Sequence, residues 1–460
     1  MDNKSNISKF IFRLLMSMVV VVLLGLGWVL WGKLQGEQPV IATDIPEYFN
    51  SSQELAFKIS DAKSGIRTIR ISIEQNNKEK ILKDDHYPLP GSTDKIPAHE
   101  VSFTIRADMK KLGISDGKAI FHVLVQDNTW RNWFHGNKAV IDKEITVDSK
   151  PPEIVVLNRV NNFNQGGSGL IIYRLSKPCP VSGVMVGNQF YPGQEGYFTD
   201  QHIYLAFIAM DYRPATNVEM YVKATDHSGN SARTGFPYHI KRKNFKSDTI
   251  TVPDSFLNQK IPEFDVDIPP GTQKPMLAKY IKVNNELRDS NYQRIVSAVS
   301  NSDSQLRWEG SFVRLPNSAP RAGFADHRTY LYEGKEIDQQ DHLGVDLASL
   351  KQSPIPAANN GRVVFTELLG IYGKTVLIDH GFGLFSMYSH MSSFNVQPGQ
   401  MVSKNDVIGY TGSTGLAAGD HLHYSMLVHQ TFVNPIEWWD SGWIKTNISD
   451  KIEEAKATIK

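Results

Sequence analysis

Residues 373–391 read GKTVLIDHGFGLFSMYSHM, and residues 421–427 read HLHYSML. Thr375–Ile378 and Leu384–Tyr388 are short runs rich in β-branched, aliphatic and aromatic residues, and Gly373, Gly381 and Gly383 punctuate them. Runs of four or five residues between glycines are too short for helices and read as strands joined by turns. Val363-Val364-Phe365 continues the pattern upstream. Downstream, Pro398-Gly399-Gln400 makes a turn and Asp406-Val407-Ile408-Gly409 begins another short strand. Residues 311–440 are therefore expected to form an antiparallel β domain.

The β pattern extends toward the N-terminus. In IRTIRISI (66–73), Ile69, Ile71 and Ile73 alternate onto one face, and Val101, Phe103 and Ile105 do the same. A weak repeat links Ile120–Gln126, ending at Asp127, with Val218–Thr225, ending at Asp226. Asp44 with Pro46 and Asp148 with Pro151 and Pro152 mark two similar starts. Two immunoglobulin-like β-sandwich domains, 38–149 and 150–245, are expected, with a spacer role. Trp130, Trp133 and Phe134 fall in one turn and read as an exposed patch or, as aromatics so clustered more often are, as core. Segment 246–310 is expected to be a linker followed by a helix. Its start is interrupted by Pro253, Pro262, Pro269, Pro270 and Gly271, whereas Tyr292, Ile295, Val296 and Val299 give Met276–Val299 an apolar helical face whose default role is to pack on the next domain, a gate over an active site being the alternative. Residues 441–460 read as a short charged helix or a frayed tail. The fold class is mainly β.

At the other end, Leu14–Trp31 reads LLMSMVVVVLLGLGWVLW, 18 residues without a charge. As a helix it covers ~27 Å, close to the hydrocarbon thickness of a bilayer. Lys4, Lys9 and Arg13 precede it, so residues 1–37 read as a cytoplasmic N-terminus and a single-pass anchor in the cytoplasmic membrane, the bulk facing the periplasm or cell exterior. Trp28 and Trp31 stand where interfacial anchors belong. A cleaved secretory signal is the competing reading; the length of the run and the lack of a small-x-small site disfavour it.

Composition narrows the chemistry. Lys+Arg 49 against Asp+Glu 48 leaves a net charge of +1, with none of the basic footprint of a nucleic-acid binder. The single cysteine, Cys179, excludes an internal disulfide framework and a cysteine-rich zinc finger, so any metal must be held by His and carboxylates. Seven of the 14 histidines lie between residues 327 and 429, and three motifs stand out: His342-Leu343-Gly344-Val345-Asp346, Tyr388-Ser389-His390 and His421-Leu422-His423.

The spacing says how these could cooperate. His342 and Asp346 are four apart, but their flanks do not read as a helix; a bend at Gly344 could turn both to one point. His421 and His423 sit on one face of a strand with Cβ atoms roughly 7 Å apart. Both cannot easily reach one ion, so one is expected to bind metal while the other faces the bound water. His390 would be a second catalytic histidine from an adjacent strand. Taken singly, such motifs are usually solvated strand faces; together in one Gly-rich β segment they are specific. His327, His380 and His429 are assigned structural or surface roles.

The segment from about Gly323 to Trp439 resembles the lysostaphin-type (LytM-like) zinc metallo-endopeptidases of peptidoglycan. The resemblance rests on HLGVDLAS, PIPAANNGRVVF, GKTVLIDHGFGLFSMYSHM, VQPGQMVSKNDVIGYTGSTGLAAGDHLHYSML and NPIEWW. It implies Zn2+ held by His342, Asp346 and His423, with His390 and His421 as catalytic histidines. Arg328, in GFADHRTY, matches a family arginine near the site that assists substrate or oxyanion binding, although Ala325 replaces the glycine usual there. The implied substrate is the stem peptides of peptidoglycan: D-alanyl–meso-diaminopimelyl cross-links, with glycine bridges as the other option. The implied function is a membrane-anchored endopeptidase of cell-wall remodelling. The alternatives are an inactive relative that activates a wall amidase or scaffolds a wall complex, and an adhesin whose β modules matter more than the peptidase.

Overall fold

The computed structural model describes residues 3–88, 98–213 and 218–459. The architecture is mainly β, and the chain divides into two compact units, Met1–Pro151 with His227–Asn230, and Pro152–Asp226 with Ser231–Lys460.

The first unit starts with the helix Asn3–Lys33, of which Lys9–Trp31 is long and apolar enough to cross a membrane and has no buried residue. Two sheets follow. One runs, in spatial order, Tyr48–Phe49, Lys138–Val147, Gly117–Asp127, Ile66–Gln75 and Lys78–His86; the other runs Val40–Thr43, Ser52–Ser60 and Glu100–Asp108. Ile69, Ile71 and Ile73 are all buried, and Phe57 of the smaller sheet stacks 6.5 Å from Phe121 of the larger, so one apolar layer lies between them. Val101, Phe103 and Ile105 alternate half-buried with exposed neighbours, as their pattern requires. The aromatic turn departs from expectation. Trp133 is 91% exposed, Phe134 64% and Trp130 43%, so these rings are surface rather than core.

In the second unit, Ile203–Ala209, Ser168–Leu175 and Ile154–Val156 form one sheet and Gln189–Pro192, Val181–Val186, Met220–Thr225 and Ser231–Gly235 another. The C-terminal region is built on an antiparallel sheet in the order Ala319–Ala322, Val345–Ala348, Leu422–Val428, Leu384–Met391, Lys374–Asp379, Gly361–Leu368 and Met401–Val402. One continuous apolar core joins all of this. Polar pins reinforce it: buried Glu437 accepts from the side chain of Asn164 at 2.7 Å and the backbone of Ser168 at 2.9 Å. Lys451, on the helix Asp450–Ile459, donates to Asn161 and to the Leu170 carbonyl. The charged tail is thus a docked helix.

Within the stretch that composition marks as linker, Ser247–Thr251 pairs in parallel with Asp326–Tyr332, and Asp254–Lys260 is helical. Ile250 is the only aliphatic residue of that short strand, so hydrophobic periodicity does not reveal it. Beyond it, helices Pro275–Lys282 and Arg288–Ala298 are joined by a wider five-residue turn, Val283–Leu287. Their buried face includes Tyr280, Val283, Ile295 and Val299 but also Asn284 and Asn291, while Tyr292 is exposed. Counting apolar residues alone misplaces that face, because the two asparagines are buried through hydrogen bonds, to Asp338 and to the Ile371 N–H.

Candidate metal centre

Strand Lys335–His342 ends on His342, and after two intervening residues the chain enters the main sheet as Val345–Ala348, carrying Asp346. Asp346 lies directly opposite His423 in antiparallel register, which puts both side chains on one face about 5 Å apart at Cβ. The intervening turn folds His342 back over them. A Cβ on Gly344 would lie 2.6 Å from the His423 ring and from Ser425 Oγ, so only glycine fits this close approach. The bend at Gly344 is therefore present.

The three donors converge. His342 Nε2 is 3.0 Å from Asp346 Oδ1 and 2.9 Å from His423 Nδ1, which is itself 2.9 Å from Asp346 Oδ1. Their outer hydrogen bonds define the tautomers. His342 Nδ1 faces the Gly323 carbonyl at 2.7 Å, an acceptor only, so Nδ1 carries the proton and Nε2 the lone pair. Ser425 Oγ gives its own hydrogen to the Leu343 carbonyl and therefore accepts from His423 Nε2, leaving the lone pair on His423 Nδ1. Two imidazole lone pairs and a carboxylate oxygen thus face one another in a buried site, an arrangement that repels itself unless a cation joins it. Among the described residues, this is the one group of such side chains whose donor atoms meet this way. Two neutral nitrogens and one oxygen are the donor set of a catalytic zinc site.

The surroundings carry the remaining candidates. Arg328 Nη2 donates to Asp346 Oδ2 at 3.2 Å. Burial alone would raise the Asp346 carboxyl, but the histidines around it, His342 foremost with His421 and His423, hold it well below the carboxylate range. His390, next to last in the strand Leu384–Met391, takes a left-handed conformation, φ 60°, and donates through Nδ1 to the Thr414 carbonyl at 2.8 Å. His421 donates through Nδ1 to the Gly419 carbonyl, also at 2.8 Å. Each therefore turns Nε2 inward. The two rings are 4.8 Å apart, and His421 Nε2 stands 3.6 Å from Asp346 Oδ1, farther than His423. Burial, and the neighbouring His421 and His423, push His390 well below the usual imidazole range.

These side chains open on a cavity of about 410 Å³ that Phe256, Tyr280, Arg288, Tyr330 and Tyr372 also line. Sequence reading missed Ser425, the carbonyls of Gly323 and Thr414, and Tyr372, whose ring is 5.7 Å from that of His423. Ser425 was findable: it continues the alternation His421, His423 along one strand face. The others come from chain segments distant in sequence. His327 pairs with Asp341, His380 is buried between Asn360 and Ser386, and His429 is half-buried elsewhere; none joins the cluster.

Residues 340–435 match the model of Peptidase family M23. The C-terminal region is an M23 peptidase domain. The matched stretch contains His342, Asp346, His390, His421 and His423, and Arg328 precedes it. A 95-residue stretch is 38% identical to a DD-carboxypeptidase/endopeptidase, Mpg, of Neisseria meningitidis, covering 21% of this chain and 22% of that protein. Over 96 residues the chain is 36% identical to the peptidoglycan DD-endopeptidase ShyA of Vibrio cholerae, covering 21% and 22%. The M23 likeness thus spans about a fifth of the length of these curated relatives. Among solved structures, the catalytic domain of the antimicrobial peptidase lysostaphin from Staphylococcus simulans is 26% identical, covering 28% of this chain and 98% of that one, with a TM-score of 0.25.

Proposed function

We propose that this protein is a membrane-anchored zinc endopeptidase that hydrolyses peptide cross-links of peptidoglycan. The observation that carries the proposal is the convergence of His342 Nε2, Asp346 Oδ1 and His423 Nδ1 within 3.0 Å of one another, beneath two further histidines turned toward the same cavity. Zinc, when bound by these three, supplies a Lewis acid that polarises the scissile carbonyl and acidifies the attacking water.

The protein supplies the rest. The Gly323 carbonyl and Ser425 hold the two ligand imidazoles in their donor tautomers. Arg328 fixes the carboxylate by its other oxygen. His390 and His421, each anchored through Nδ1, present Nε2 to the substrate; the neutral one takes the proton of the attacking water, and the other, protonated on both nitrogens, hydrogen-bonds the developing oxyanion. The aromatic walls of the cavity suit an extended peptide, and the two relatives named as acting at DD bonds support D-alanyl–meso-diaminopimelyl cross-links as the target. The intact constellation argues against an inactive scaffold. The apolar helix Lys9–Trp31, with Lys9 and Arg13 at its start, supports a single-pass anchor that leaves the M23 domain outside the cytoplasm.

Digestion of purified cross-linked peptidoglycan tests the activity. Cross-linked muropeptide dimers are expected to disappear, to persist when a chelator is present, and to disappear again on adding zinc. Persistence of dimers with the zinc-loaded full chain would overturn the proposal.

A further inference from the structure

The turn Trp130–Phe134 in the first unit has no part in hydrolysis, yet it is built with care. Asn132, Trp133 and Phe134 take φ of 49°, 56° and 66° in succession, a region that bulky L residues rarely enter. Hydrogen bonds hold them there: Asn132 Nδ2 donates to the Gly136 carbonyl at 2.9 Å, and Arg67 Nη1 to the Phe134 carbonyl at 2.7 Å. The result is an apolar tip held out from the protein, with the Trp130 and Phe134 rings 6.0 Å apart and Trp133 the most exposed of the three. Strain maintained by surrounding bonds points to use.

The same turn is fastened to the end of the apolar helix. The Trp130 N–H donates to the Lys33 carbonyl at 2.7 Å, and Arg131 Nε to the Leu34 carbonyl at 2.8 Å. Lys33 follows Trp31, the last residue of the apolar stretch, by ~3 Å of helix rise. Trp28 and Trp31 are themselves exposed. The tip therefore stands at the level where the helix would leave the hydrocarbon. Tryptophan favours that boundary, with its apolar ring inward and its N–H wet. Lys33 and Arg131 beside it match the phosphates of anionic lipids.

We infer that Trp130, Trp133 and Phe134 form a membrane-interface tip, seated in the headgroup–acyl boundary of the bilayer that the Lys9–Trp31 helix crosses. This rests on the anchor reading above. The helix and the tip then make two attachments to one bilayer, and the first unit is held against the membrane instead of swinging from a single tether.

The test uses the full chain in vesicles of phosphatidylethanolamine and phosphatidylglycerol. A polarity-sensitive dye is attached to a cysteine introduced as Trp133→Cys, Phe134→Cys, Trp28→Cys or Lys110→Cys; Cys179 is buried, and the unsubstituted chain serves as the labelling blank. Lys110 is exposed near the opposite end of the strand Gly117–Asp127, ~33 Å from the tip. Spin-labelled lipids are expected to quench dye at 133 and 134 several-fold more than at 110, approaching the quenching at 28. Quenching at 28 with 133 and 134 no different from 110 would overturn the inference and leave the anchor standing. Quenching at none of these positions would overturn both.

Discussion

Two sets of buried histidines in the second unit are set up in opposite ways. His380 uses both ring nitrogens on the protein, Nδ1 to the Asn360 carbonyl and Nε2 to Ser386 Oγ, each at 2.7 Å. His342 and His423 use one nitrogen each and aim the other at Asp346 and at one another. Burial is the same in kind; the unused lone pair is what differs. A histidine with two protein partners reads as structural, and one whose second nitrogen faces another lone pair has the arrangement that the proposed metal site requires.

That contrast is open to attack, first at the ligands. His342→Ala, Asp346→Ala and His423→Ala should each lose bound metal and more than about 100-fold in cross-link cleavage, because loss of an outer partner alone costs about 10–100-fold. Metal analysis beside muropeptide chromatography would show it; a variant that keeps stoichiometric metal is not missing a ligand. His390→Ala and His421→Ala should keep the metal and lose ~10²–10⁴-fold in rate. Loss of metal from either would move that residue into the ligand set. Ser425→Ala leaves the His423 Nε2–H without its acceptor, and metal affinity should fall ~10–100-fold in a chelator competition.

His380 sharpens the other side. His380→Phe should leave metal content unchanged and cost about 1–3 kcal/mol in denaturant unfolding, through the partners left unpaired. Burial lowers the His380 imidazole from 6.5 to about 4. Above pH 6.5 neither the folded nor the unfolded chain protonates it. As pH falls from 6.5 to 4 the unfolded chain takes the proton that the folded ring refuses, so stability falls, by about 3 kcal/mol over that window. The metal-free His380→Phe variant should show a correspondingly flatter slope, and an unchanged slope would place the titration elsewhere.

The sequence makes this division partly legible. The runs Thr375–Ile378 and Leu384–Tyr388 announced two strands of the sheet that carries the site, and the spacing of His421 and His423 set them on one face, where His423 stands 2.9 Å and His421 3.6 Å from Asp346 Oδ1. What it could not supply were contacts made by backbone: the Gly323, Gly419 and Thr414 carbonyls that orient three imidazoles have no side-chain signature. Nor did composition reveal Ser247–Thr251, a strand defined by its parallel partner Asp326–Tyr332, or the Trp130–Phe134 tip. Aromatics are expected inside, and only three left-handed residues in a row turn these outward.

The most direct test is the zinc content of the purified, folded full chain after zinc loading and desalting. One zinc ion per chain is expected, falling toward zero in Asp346→Ala while His380→Phe keeps its ion. A folded chain that retains no zinc, or an Asp346→Ala variant that holds it as firmly as the parent, would contradict the account.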